Sequence, residues 1–179
     1  GGMQLGVTGP WLPQWGINYT LGLDGISLFM VLLTTAITPL AVLSSFHYIE
    51  QREKLYYALL LVLLTGMLGV FLALDMFLFY CFWELMLIPM YFIIGIWGGK
   101  NRLYAAIKFF IYTFAGSLLM LVAILVMMFD GARQTGQFSF AYDAFLQASP
   151  GMGALAPWLF LAFAVAFAIK VPIFPFHTW

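Results

Sequence analysis

Charge is scarce in this chain. Only 8% of its 179 residues are charged, where a soluble domain carries about 25%. That excludes an ordinary solvated globular surface. The 7 basic and 7 acidic side chains cancel to zero net charge, which excludes nucleic acid as a partner, since that needs a basic face. Cysteine occurs once, as Cys81, so no intrachain disulfide and no thiolate metal cluster can form, and the thiol reads as a small apolar side chain. The two histidines, His47 and His177, have no ligand spacing between them, which leaves no local metal site. Residues 1–11 lack a basic stretch followed by an apolar one, so no signal peptide is expected. PFHTW closes the sequence without a polar tail, and both ends read as cut from a larger protein.

What is abundant is apolar surface. Hydrophobic residues make up 64% of the chain, aromatics 19%, and the mean hydropathy is +1.01. Five runs, at 24–47, 55–74, 76–97, 103–129 and 157–179, each approach the ~20 residues needed to cross a bilayer. Only helices satisfy their own backbone hydrogen bonds in lipid. The expected fold is therefore all-α, a polytopic transmembrane bundle read as one unit. Short basic turns, EQREK and GGKNR, join the spans on one side, and Asp75 alone separates the second span from the third. Residues 130–156 are the one long connection, and FSFAYDAFL within it could form a short interfacial helix. Arg52, Lys54, Lys100 and Arg102 lie on one side and Arg133 on the other. The positive-inside rule puts the former side in the cytoplasm or matrix and the N-terminal end outside.

Against this background two charges stand deep in apolar runs. Glu84 sits in MFLFYCFWELMLIPMYFIIGIW and Lys170 in AFAIKVPIFPF. A charged side chain at the bilayer centre costs roughly 2.5 kcal/mol or more on insertion scales, and is kept where a partner or function requires it. Tyr80 and Tyr91 share the face of Glu84, and Pro89 deprives the Leu85 carbonyl of its helical partner. Pro172 and Pro175 do the same for Ala168 and Val171, so the last span should break near Lys170. Broken helices mark ion and substrate sites in transporters. A straight-helix count leaves Glu84 and Lys170 about 8 Å apart in depth, close enough for the break or a water to join them. The pair reads as a proton relay or as a clamp between helices. His177 would share the face of Lys170 if the helix resumed and could extend the relay; it could equally be an interfacial histidine. Lys108 reads as a lysine snorkelling to the interface, and His47 as a solvated helix-end residue. Thr34, Thr35 and Thr38 are expected to bond their own helix around Pro39. Gly66, Gly69, Gly116 and Ser117 are expected to let helices approach closely. The tryptophans at 11, 15, 97, 158 and 179 fall near predicted span ends, like an aromatic belt.

The run DMFLFYCFWELMLIPMYFIIGIWG resembles the signature helix of the M-type antiporter-like subunit of respiratory NADH:quinone oxidoreductase, complex I. LGLDGISLFMVLLT, AAIKFFIYTFAGSLLML and FAIKVPIFPFHTW resemble other parts of that subunit in the same order, so nearly the whole chain is covered. The resemblance implies a fourteen-helix fold with two inverted five-helix repeats, of which the five spans here are helices three to seven. It implies that Glu84 and Lys170 are a charged pair in a proton path whose later members lie beyond Trp179. It places NADH, flavin, iron–sulfur clusters and quinone in partner subunits and no cofactor in this chain. The implied partners are other membrane-arm subunits, including the L- and N-type paralogues, and the lipid bilayer; the implied location is a bacterial plasma membrane. A multisubunit monovalent cation/proton antiporter would use the same Glu and Lys, and a purely structural scaffold is a third reading. The FWELMLIPMY wording favours complex I.

Overall fold

The computed structural model describes residues 3–179. Five helical stretches are long and apolar enough to cross a membrane: Gly25–Ser45, Glu53–Leu72, Met76–Trp97, Arg102–Thr135 and Gly151–Lys170. The first, α1 (Gly25–Ser45), starts because Asp24 and Ser27 cap each other. Asp24 Oδ1 accepts from the Ser27 amide at 2.7 Å, and Ser27 Oγ accepts from the Asp24 amide at 2.8 Å. This reciprocal box satisfies two donors that a helix start leaves open, and the bonds hold the Asp24 carboxyl below its usual range. Thr34, Thr35 and Thr38 donate to the carbonyls of Met30, Val31 and Thr34, as expected. His47 is exposed just past this helix.

Helix α2 (Glu53–Leu72) returns across the bundle. The next span is two helices rather than one, α3 (Met76–Leu85) and α4 (Leu87–Trp97), parted at Met86. Pro89 has no N–H to offer Leu85, and the following Met90 amide reaches the Met86 carbonyl only at 3.5 Å. Helix α5 (Arg102–Thr135) runs past residue 129 into the expected loop. Its polar last turns satisfy themselves: Gln134 Nε2 donates to Asp130 Oδ2 at 2.8 Å and Thr135 Oγ1 to the Gly131 carbonyl at 2.9 Å. The rest of that connection holds a short helix, α6 (Tyr142–Ala148), where FSFAYDAFL suggested one, and the 3-10 turns of Ser149–Leu155. Helix α7 (Ala156–Lys170) ends at Lys170 instead of continuing to 179. Beyond it the Ile173 amide bonds Ala168 at 2.8 Å, five residues back, and a cis Phe174–Pro175 bond leads into a 3-10 turn, Phe176–Thr178.

The sequence reading missed a β-hairpin before α1. Strands β1 (Gln4–Leu12) and β2 (Ile17–Leu23) pair antiparallel, with Thr8 opposite Thr20. Glycine and proline interrupt any alternation in QLGVTGPWL, and most of the strand is exposed, so no period-2 signal reveals it. The hairpin is stitched to the α2–α3 turn and to residues 138–142. The Leu74 amide bonds Thr20, Met76 bonds Phe140, Tyr142 bonds Leu74 and Phe140 bonds Gly16, at 2.7–3.3 Å. Gly16 is required there: its φ is +67° and a Cβ would lie 1.9 Å from the Phe138 carbonyl oxygen.

Helix α5 is the spine of the bundle, packing against α4 on one side and α7 on the other. Its Met120, Ile124 and Met128 form a core with Tyr80 and Trp83 of α3 and Ala166 of α7. The expected close approaches are present. Gly69 and Gly66 of α2 abut Phe82 and Met86, and Gly116 of α5 abuts Ile169 of α7.

Candidate functional site

The break after α3 puts Glu84 at the end of a helix facing α5. Its Oε1 is buried and has no hydrogen-bond partner. Tyr80, one turn before Glu84 on α3, interacts with the Glu84 carboxylate and with Ser117 of α5. Ser117 is 1% exposed and donates to the Phe114 carbonyl at 2.9 Å. A buried acceptor left unmade costs ~1–3 kcal/mol, so Glu84 favours any donor that can reach it: a proton, a water or an ammonium.

Lys170 is the last residue of α7, half-buried. Its Nζ stands 5.1 Å from the centroid of the Trp83 ring. Trp83 is itself packed edge-on against Phe167 of α7 at 5.4 Å and tilted against Phe79 at 5.7 Å. The Glu84 charge acts on Lys170, yet among the described residues no carboxylate oxygen comes within 4.0 Å of a basic nitrogen. The structure thus brings Glu84 and Lys170 into one neighbourhood without closing an ion pair. The ammonium sits instead on the ring next to Glu84, where the electron-rich face attracts it.

Residues 171–179 fold back onto α5. The Ile169 carbonyl accepts from Trp179 Nε1 at 2.8 Å, and Trp179 lies 5.0 Å from the Phe109 ring. Lys108 Nζ donates to the Thr178 carbonyl. The contacts made by Lys108 and Trp179 were not expected from sequence: each side chain reaches a carbonyl in residues 169–178. His177 is exposed and stacks on Phe174 at 5.6 Å; the helix does not resume, so it shares no helix face with Lys170.

Trp83 was not singled out from sequence, and Asp75 was read only as the turn between two spans. The position of Trp83 beside Glu84 in FWEL was the available signal. Asp75, 1% exposed, caps α3 by accepting from Phe77 at 3.0 Å and Leu78 at 3.1 Å. Its other oxygen accepts from the Asn18 amide of β2 at 3.0 Å. Burial pushes its carboxyl up from the usual value, against those three bonds. Among the described residues no three His, Cys, Asp or Glu side chains group as a metal ligand set.

Two family models match the chain. Residues 73–179 match the transmembrane family of NADH:quinone oxidoreductase and Mrp antiporters, and residues 7–71 match the amino terminus of NADH-ubiquinone oxidoreductase chain 4. NADH-quinone oxidoreductase subunit M of Escherichia coli K12 is 47% identical over 95% of this chain. The alignment covers 34% of that relative, so the chain spans about a third of its length. Among solved structures, respiratory complex I from Thermus thermophilus with bound NADH matches at TM-score 0.83 and 35% identity, over 100% of this chain and 36% of the other. The Mrp complex from a Dietzia species matches at TM-score 0.80 over 97% of this chain and 19% of the other; at 24% identity that likeness is one of fold. With more than half its length matched by the first model and strong identity to subunit M, the chain belongs to the NADH:quinone oxidoreductase/Mrp antiporter family of membrane subunits.

Proposed function

We propose that this chain is a segment of the M-type, proton-translocating membrane subunit of an NADH:quinone oxidoreductase. The observation that carries this reading is the geometry around Trp83: a buried carboxylate with an open oxygen, and a lysine at the end of a broken helix resting on the neighbouring ring. A lysine so placed has two stations, the ring and the carboxylate. Paired with Glu84 it keeps its proton; parted from it, a buried lysine can pass the proton on. No redox group is assigned to this chain. NADH, flavin, iron–sulfur clusters and quinone are assigned to partner subunits, whose chemistry drives the switch. The partners are the other membrane-arm subunits, including L- and N-type paralogues, in a bacterial plasma membrane, and His177 is a lesser candidate for the relay. The fold shared with the Dietzia Mrp complex supports a second reading, a monovalent cation/proton antiporter.

Inverted membrane vesicles containing the full-length subunit separate the two. NADH-driven acidification of the vesicle interior that is lost in Glu84→Gln or Lys170→Met and indifferent to sodium supports the oxidoreductase. Proton movement driven by a sodium gradient without NADH supports the antiporter.

A further inference from the structure

We propose that Lys108 is a positioning residue: it clasps the segment that folds back after the broken helix and so sets where Lys170 stands. This rests on the proton-transfer reading above. Non-helical backbone at membrane depth persists only where protein or water satisfies it. Past Lys170 the two prolines rule out a regular helix, and side-chain donors reach two carbonyls of residues 169–178. Trp179 Nε1 serves Ile169 at 2.8 Å, and Lys108 Nζ serves Thr178.

Both donors are seated on the same turn of α5. Lys108 belongs to that turn, and Trp179 lies against Phe109, the next residue. Residues 169 and 178 are therefore both tied to side chains seated on one helix. Ile169 is also wedged onto Gly116 of α5, where an added Cβ would lie 2.6 Å from Ile169 Cδ1. Lys170 follows directly, so the clasp and the wedge together fix the direction in which its side chain leaves the backbone. Ser117, the next residue on α5, interacts with Tyr80, one turn before Glu84. One helix thus references both members of the pair.

Lys108 has no carboxylate within 4.0 Å among the described residues, and its stem lies beside Tyr104, Ile111 and Tyr112. Its charge therefore strengthens the bond to the Thr178 carbonyl, as ionised donors do. A positioning role and a proton-carrying role for this lysine differ in one respect. Arginine keeps the donor and the charge but does not release a proton, so it can replace a clasp and cannot replace a carrier.

The test uses the full-length subunit in the assembled complex, with Lys108→Met, Lys108→Arg and Trp179→Phe beside the controls Glu84→Gln and Lys170→Met. It reads complex content, protons pumped per NADH, NADH turnover, and hydrogen–deuterium exchange of amides 171–179. Lys108→Met is expected to lower pumping-coupled turnover roughly tenfold, the scale of a lost charged hydrogen bond, and to speed exchange in 171–179. Lys108→Arg is expected to restore both to within about twofold, on the same hydrogen-bond scale. Should Lys108→Met fail to assemble, Trp179→Phe carries the prediction: it keeps the ring and removes the indole donor, so it speeds exchange in 171–179 and lowers turnover. Wild-type pumping and exchange in Lys108→Met, or in Trp179→Phe when that variant stands in, overturns the clasp. Lys108→Arg as inactive as Lys108→Met but with normal exchange also overturns it, in favour of a proton carrier. If Glu84→Gln and Lys170→Met pump normally, the reading of the site fails instead, and the exchange data alone then decide whether the clasp exists.

Discussion

The Lys170 ammonium rests 5.1 Å from the centre of the Trp83 ring, and Trp83 is the residue immediately before Glu84. Helix α3 thus holds the lysine on an aromatic face and carries a buried carboxylate at the next position. A desolvated cation–π contact is worth about 0.5–2 kcal/mol. Trp83→Leu should alter the balance between the two stations and slow pumping-coupled NADH turnover by roughly two- to thirtyfold, the rate equivalent of that range. Trp83→Phe keeps a ring and should retain most of the activity. Turnover and proton flux in membranes with matched complex content check the order wild type, Phe, Leu.

Helix α2 packs closely at Phe82 on α3, the helix that carries Glu84. A Cβ at Gly69 would lie 2.3 Å from two atoms of the Phe82 ring, whereas one at Gly95 would meet only Ala106 at an ordinary 3.7 Å. Gly69→Ala should destabilise the bundle by about 1–3 kcal/mol, the usual cost of overpacking. Gly95→Ala should be neutral or slightly stabilising, because alanine suits a helix interior better. Thermal unfolding of the purified complex, followed at this subunit, distinguishes the two.

Asp75 joins α3 and β2 through one carboxylate, and replacing it should loosen the two together. Asp75→Ala removes the α3 cap and the Asn18 tether and should cost about 2 kcal/mol or more, beyond a helix cap alone. Asp75→Asn keeps one acceptor and should cost less. The pH dependence has a definite sign. Burial raises the folded carboxyl above its unfolded value, so the contribution of Asp75 is fully present below the unfolded value and is lost as pH rises through the folded one. Wild type should therefore gain stability relative to Asp75→Asn as the pH is lowered through the carboxylate range. Melting curves of both proteins across that range check it.

The cost of charge in lipid made Glu84 and Lys170 legible in the sequence, and two prolines made the break after Lys170 legible. The five spans were legible from length and hydropathy. What was hidden depended on contacts between distant segments. The bond from Lys108 to the Thr178 carbonyl exists only once 171–179 folds back onto α5. The hairpin is hidden because Gly6, Gly9 and Pro10 disrupt its alternation and its partners lie at 73–76 and 138–142. The end of α5 was read as part of the long connection 130–156, yet its polar side chains bond within the helix. Trp83 carried the signal of its position but none of its role, which appears only when α7 brings Lys170 over its face.

Counting protons moved per NADH oxidised, in proteoliposomes holding the whole complex, tests the central claim most directly. The account predicts that Glu84→Gln and Lys170→Met assemble in normal amounts, lose most proton pumping, and lose tightly coupled NADH oxidation with it. Assembly with wild-type stoichiometry and turnover in both variants would contradict it and leave the two residues as clamps between helices.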